Sequence, residues 1–320
     1  MTQAALTAVS PFGQRLRGYL AERFPLIGHG LLIVSYGSSN QFLARALTHP
    51  GESMHYGWSS AACALVLLCL FFHLRVFDEH KDFAEDSRNH PQRMLQRGIV
   101  TLRELRGLAY VALTLELVVA ALHSRAALVA VVIAQAFSLL MLKEFFVGPW
   151  LRRHFLLYAT SHMLIMPLFA LVVFAFATRL PPWEAPGWFV LYAFVGFFVT
   201  FNWEVSRKIR SPEDEREGVE SYTKIFGTYG AAWVVLGIRV IDTGLVALVG
   251  AHLGLAPWFY GALVALFLLC AAGFLQYRLR TSSATAKRME TYAGLYIVAF
   301  DLILAVALAR HYGFFLGEGA

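Results

Sequence analysis

The sequence predicts an all-α polytopic membrane protein with nine transmembrane helices, and three observations carry that prediction. Apolar residues make up 58% of the 320 and charged residues only 15%. With a mean hydropathy of +0.57, this is a balance that a water-exposed globular surface does not tolerate. Apolar runs long enough to cross a hydrocarbon core, roughly 17–25 residues each, begin near positions 24, 57, 106, 126, 155, 187, 229, 257 and 290. The runs are continuous and lack the apolar–polar alternation of barrel strands, so helices must carry the chain across the lipid.

The formal net charge of +6 reports topology rather than nucleic-acid binding. Arg45, Arg125, Arg179 and Arg310 fall on one side and Arg239 lies inside a span. All other Lys and Arg sit in the N-terminal segment or around the loops after spans two, four, six and eight. The positive-inside rule then places the N-terminus and those loops in the cytoplasm and the C-terminus outside. Cys63, Cys69 and Cys270 lie inside apolar runs, which argues against a disulfide framework or a metal cluster. Arg15 and Arg17 precede any apolar run, so no cleavable signal is expected. The external connections, Thr48–Gly51, Leu180–Trp183 and Ala256–Trp258, are short and rich in breakers and read as plain turns. Residues 1–320 form a single membrane-embedded catalytic domain on this reading, and helices 1–4 and 5–8, plus helix 9, suggest a pseudo-repeat.

Two cytoplasmic connections stand apart, residues 78–105 and 204–227, both long and densely charged. In the first, Asp78, Asp82 and Asp86 are spaced i, i+4 and i+8, one face if the helix of span two continues, with Glu79 one step around. Like charges stacked this way destabilise a helix unless a cation neutralises them. Carboxylates suit a hard ion that uses substrate phosphates for the rest of its shell, so Mg2+ fits better than zinc. The competing reading is a solvated juxtamembrane helix whose acids pair with Lys81 and Arg88. Arg88, Arg93 and Arg97 follow in a turn punctuated by Pro91 and Gly98. A guanidinium fork matches phosphate oxygens, which makes a diphosphate–magnesium site coherent. Thr101 and Glu104 read as a capping box opening span three.

Here the chain resembles the UbiA superfamily of intramembrane prenyltransferases, which includes terpene cyclases. Residues 78–86 are similar to that family's Asn-Asp-x-x-Asp-x-x-x-Asp motif, with Asp78 for Asn and Glu79 for the adjacent Asp. Residues 93–98 resemble its Arg-Pro-Leu-Pro-x-Gly turn. The family's second loop reads Lys-Asp-x-x-Asp-x-x-Gly-Asp, with a Tyr four residues before the Lys. In this chain Glu204 takes the Tyr position, Lys208 keeps the Lys, and residues 211–218 replace the aspartates. Glu213 and Glu217 restore an i, i+4 acidic pair, whereas alignment on Gly218 and Ser221 selects Asp214. Ser211, Pro212 and Asp214 also make a good helix start without any ligand. Lys143-Glu144 resembles the family's Lys-Arg pair at the end of helix four.

The resemblance implies a UbiA-like bundle with two cytoplasmic acidic loops, integral in the bilayer, its active site facing the cytoplasm. Asp78, Glu79, Asp82 and Asp86 of the first loop, and Glu213, Asp214 and Glu217 of the second, would hold Mg2+. Arg88, Arg93, Lys143 and Lys208 would bind the diphosphate, and Asp78, Asp82 and Lys208 would be catalytic. The implied activity is transfer of a prenyl group from an isoprenyl diphosphate to an aromatic or lipid acceptor. Intramolecular capture, as in a terpene cyclase, is one alternative, and a cation transporter lined by buried acids is another. Within the spans, Asn40, Glu116, His162, Arg239, Asp242 and Asp301 are expensive in lipid and are expected to face the bundle interior, Arg239 paired with Asp242.

Overall fold

The computed structural model describes residues 6–215 and 220–317. A short helix α1 (Phe12–Arg23) leads into α2 (Leu26–Thr48), α3 (Trp58–Lys81), the short α4 (Phe83–Asn89), α5 (Leu102–His123) and α6 (Arg125–Leu142). The chain continues through α7 (Gly148–Arg152), α8 (Phe155–Met163), α9 (Ile165–Thr178), α10 (Gly187–Arg207), α11 (Tyr222–His252), α12 (Pro257–Leu279) and α13 (Ser283–Tyr312). The apolar runs became these helices within four residues of their expected starts, except that α11 and α13 each begin seven residues earlier, in more polar sequence ahead of the run.

Among the described residues eight segments are long and apolar enough to cross a membrane, α8 and α9 together forming one of them. The ninth expected span, α2, has 23 residues, or ~34 Å at 1.5 Å per residue, but is interrupted by Ser38, Ser39, Asn40 and Gln41. Those side chains are buried rather than lipid-facing. Ser39 donates to Asp301 on α13, Asn40 donates to the Tyr36 carbonyl, and Gln41 donates to Ser60 Oγ on α3 at 2.7 Å. Ser39, Asn40 and Gln41 thus each donate to a partner inside the bundle.

The core is closed by small residues where helices cross. Ala127, Ala130 and Ala134 are buried on α6, which packs on α9 and α5, and Gly250 and Gly273 accept the rings of Phe259 and Tyr292 where any Cβ would collide. The six polar residues expected in the interior are all buried. Glu116 on α5 meets His73 Nδ1 at 2.8 Å and accepts from Gln135 at 2.8 Å. Asp301 accepts from Tyr192 at 2.7 Å. Arg239 Nη1 lies 3.0 Å from Asp242, its Nη2 donates to Asn202 at 2.8 Å, and its guanidinium rests 3.5 Å from the Tyr296 ring centroid.

One connection expected as a plain turn does more. The link after α2 enters strand β1 (Met54–Tyr56), which pairs in parallel with β2 (Phe314–Leu316), Met54 opposite Phe314 and Tyr56 opposite Leu316. This strap ties the chain after α13 to the α2–α3 link at the end of the bundle opposite the acidic loops.

Candidate active site

The first acidic loop begins where α3 stops. Asp82 takes φ −96° and ψ 4°, closing α3 and opening α4, so the expected straight ladder bends at its middle carboxylate. The four acids divide accordingly. Asp78 is half-exposed, 3.4 Å from Lys81 Nζ and 3.8 Å from Arg75 Nη1. Glu79 is 1% exposed and turns toward α1, where Arg23 Nε donates to it at 2.6 Å and Tyr19 at 3.5 Å. Asp86 meets Arg93 at 2.6 Å and Arg23 at 3.7 Å.

Burial pushes the Asp82 carboxyl up to about 6; Lys81 opposes this, and the charges of Asp78, Asp86 and Glu85 add to it. A divalent ion binds only the ionised form, so protons compete with metal below that value. If Asp82 is a metal ligand, Mn2+ affinity measured by calorimetry on the full chain should hold above pH 7 and fall by up to about tenfold per pH unit between pH 6 and 4. An affinity flat across that range would exclude Asp82 as a ligand.

Beyond α4 the chain makes a tight turn in which Gly98 adopts φ 69°, a left-handed conformation that favours glycine. Arg93 reaches back to Asp86, while Arg88 is exposed. The capping box forms as the sequence suggests: Glu104 N donates to Thr101 Oγ1 at 3.2 Å and Thr101 N donates to Glu104 Oε2 at 2.9 Å. Arg15 of α1 docks on the same glutamate at 2.7 Å.

The second loop is organised around local hydroxyls. At the end of α10, Glu204 is buried and paired with Lys208 at 2.7 Å and Arg207 at 2.5 Å. Pro212–Asp214 form a single 3-10 turn in which Ser211 Oγ donates to Asp214 at 2.7 Å. Glu213 accepts from Ser283 N and Oγ, both at 3.2 Å, at the start of α13. Glu215 accepts from Ser221 at 2.7 Å and from Thr223. Glu217 lies outside the described residues. Among the described residues no three His, Cys, Asp or Glu side chains gather into a ready-made metal cage.

What joins the two loops is α8, which the sequence reading passed over as part of an apolar span. Phe155, Tyr158 and His162 occupy one helical face at i, i+3 and i+7. Lys81 Nζ, from the first loop, stands 5.3 Å from the Tyr158 ring centroid. Lys208 Nζ, from the second, stands 4.7 Å from the Phe155 ring. Tyr222 of α11 packs on Phe155 at 4.9 Å, and Tyr158 stacks on His162 at 4.3 Å. The aromatic spacing was the signal available in the sequence.

Beside this face the chain leaves α6 through Glu144, Phe145 and Phe146, three consecutive non-glycine residues at positive φ. Such a run costs of the order of 1–2 kcal/mol per residue and is held by its surroundings. Buried Glu144 pairs with Arg152, its carboxylate lies where a Cβ on Gly148 would stand, and Phe145 meets His162 edge-on at 5.7 Å. Lys143 is exposed.

The chain that builds this bundle matches a known family. The family model described as the UbiA prenyltransferase family covers residues 41–314. The chain belongs to the UbiA prenyltransferase family. No curated protein sequence matches it. A solved structure reported for a digeranylgeranylglyceryl phosphate synthase in membranes is similar in fold, with a TM-score of 0.62 at 18% identity over 93% of this chain and 99% of that one. The apo structure of a UbiA homolog from Aeropyrum pernix K1 gives a TM-score of 0.62 at 17% identity, covering 88% and 98%. The chain is thus an integral membrane protein of a prenyltransferase family.

Proposed function

We propose that this UbiA-family protein ionises an isoprenyl diphosphate with the help of Mg2+ and transfers the prenyl group to a hydrophobic aromatic or lipid acceptor, at a site facing the cytoplasm. The observation that carries the reading is the convergence on α8 of Lys81, next to Asp78 and Asp82, and of Lys208, next to Glu204.

The donor chemistry suits a hard cation, since both loops are rich in carboxylates and carry no thiol. Asp78 and Asp82 would hold Mg2+ on the first loop, with Glu213, Asp214 and Glu217 as candidates on the second. Bound there, the metal supplies charge neutralisation for the departing diphosphate. Lys208 takes a diphosphate oxygen, Arg88 and Arg93 approach from the first loop, and exposed Lys143 lies at the end of α6. The ring faces of Phe155 and Tyr158, which accept ammonium groups in the structure, present the same negative quadrupole to an allylic carbocation.

Removing the ammonium in Lys208→Met should weaken diphosphate binding by about 2 kcal/mol, roughly 30-fold in KM. KM unchanged for the diphosphate would remove Lys208 from the site.

Acids deep in the bundle favour this reading over ion transport. Glu116, Asp242 and Asp301 are each engaged by buried partners and do not line a path. Capture of the cation within the same prenyl chain, as a terpene cyclase performs, uses the same ionisation step. Product analysis after incubating purified protein with Mg2+ and geranyl, farnesyl or geranylgeranyl diphosphate decides between them. Transfer requires an added acceptor, whereas a cyclic hydrocarbon or alcohol formed without one would assign cyclisation. No turnover under either condition would contradict the proposal.

A further inference from the structure

The first loop's acids do not share one environment. Asp78 and Asp82 face Lys81 and α8, while Glu79 and Asp86 face α1, and the group between the latter two is a guanidinium. Arg23 Nε sits 2.6 Å from Glu79 Oε1 and its Nη2 3.7 Å from Asp86 Oδ2, an oxygen that Arg93 Nη1 also meets at 2.6 Å. Glu79 is 1% exposed and its second oxygen, Oε2, is buried with no hydrogen-bond partner among the described residues. A buried carboxylate with a free oxygen needs a cation, and here a side chain provides it.

Arg23 is held where it is by the rest of α1. Tyr19, fully buried, packs with Val76, Met94, Leu95 and Leu105. Glu22 accepts from Met94 N at 3.3 Å, and Arg15 closes the other end on Glu104. Gly18 passes so close to Leu6 and Met94 that a Cβ would force them aside. A helix anchored at three points delivers one guanidinium to one carboxylate pair.

We propose that Arg23 is a positioning residue acting as a built-in cation: it occupies the gap between Glu79 and Asp86, leaving Asp78 and Asp82 to take the divalent ion. This rests on the metal assignment made above. Without Arg23, the gap becomes a second divalent-cation site made of the Glu79 and Asp86 carboxylates.

The test counts metal rather than turnover. Mn2+ is titrated into the full chain in detergent without diphosphate, the bound ion is counted by electron paramagnetic resonance, and thermal unfolding is followed with and without Mn2+. Arg23→Lys should hold as many ions as wild type, and Arg23→Gln should hold one more and regain with Mn2+ the unfolding temperature it loses without it. If Arg23→Gln holds no additional ion, or loses stability that Mn2+ does not restore, the proposal is overturned. Should that variant fail to fold, Arg23→Gln/Glu79→Gln removes both charges and should fold with the wild-type number of ions; a double variant that also fails to fold overturns the proposal. Asp82→Asn separately tests the underlying assignment, because it should hold one ion fewer than wild type and leave the Arg23→Gln increment intact.

Discussion

Asp82→Asn should lower prenyl-diphosphate turnover roughly 10³-fold, about 4 kcal/mol in activation free energy, while the protein remains folded. The substitution keeps the shape of a side chain at the hinge between α3 and α4 and removes its capacity for negative charge. Burial and three neighbouring acids already make ionisation costly at this position, pushing the carboxyl up to about 6; on the proposed assignment a divalent ion would offset that cost in the wild type. The neutral amide relieves the repulsion, so stability without metal should be unchanged or slightly higher. Steady-state kinetics with a melting curve on the same preparation separate the two effects. Full turnover in the variant would remove Asp82 from the metal set.

The largest loss of stability is expected from Asp242→Ala. Arg239 is 1% exposed within the bundle, and Asp242 is its anionic partner at 3.0 Å. Asn202 and the Tyr296 ring remain after the substitution, but both are neutral and cannot balance the charge. Breaking a buried pair from one side costs about 3–5 kcal/mol, because the remaining charge stays buried and uncompensated. Arg239→Met/Asp242→Leu should recover most of that loss, since the pair is then replaced by apolar groups of similar volume. Thermal unfolding in detergent measures both variants. A double variant no more stable than Asp242→Ala would show that the network contributes through its hydrogen bonds rather than through charge balance.

Much of this architecture was legible in the sequence because hydropathy is a local property. Runs such as 126–142 and 257–279 need no tertiary information to be read as spans, and the Thr101–Glu104 box is complete within four residues. α2 was legible as a helix, but the reason it carries Ser38–Gln41 lies on α13 and α3. The β1–β2 strap joins segments more than 250 residues apart, and three-residue strands carry no periodic signal.

The candidate site was readable as composition rather than as geometry. The i, i+4, i+8 spacing of Asp78, Asp82 and Asp86 assumes a continuous helix, and the bend at Asp82 divides the acids instead. Glu79 was grouped with them by position, yet its orientation is set by Arg23, 56 residues earlier. The aromatic face of α8 was concealed inside an apolar run, where Phe and Tyr are ordinary residues. The left-handed turn at Glu144–Phe146 lacks the Gly or Asn that normally signals such a conformation.

Release of inorganic diphosphate from geranylgeranyl diphosphate by the purified protein, supplied with a membrane-lipid acceptor extract, tests the central claim most directly. Release should require Mg2+, cease with a chelator, return when Mg2+ is restored and be absent in Asp82→Asn. Release that proceeds equally in the chelator, or equally in the variant, would contradict the account.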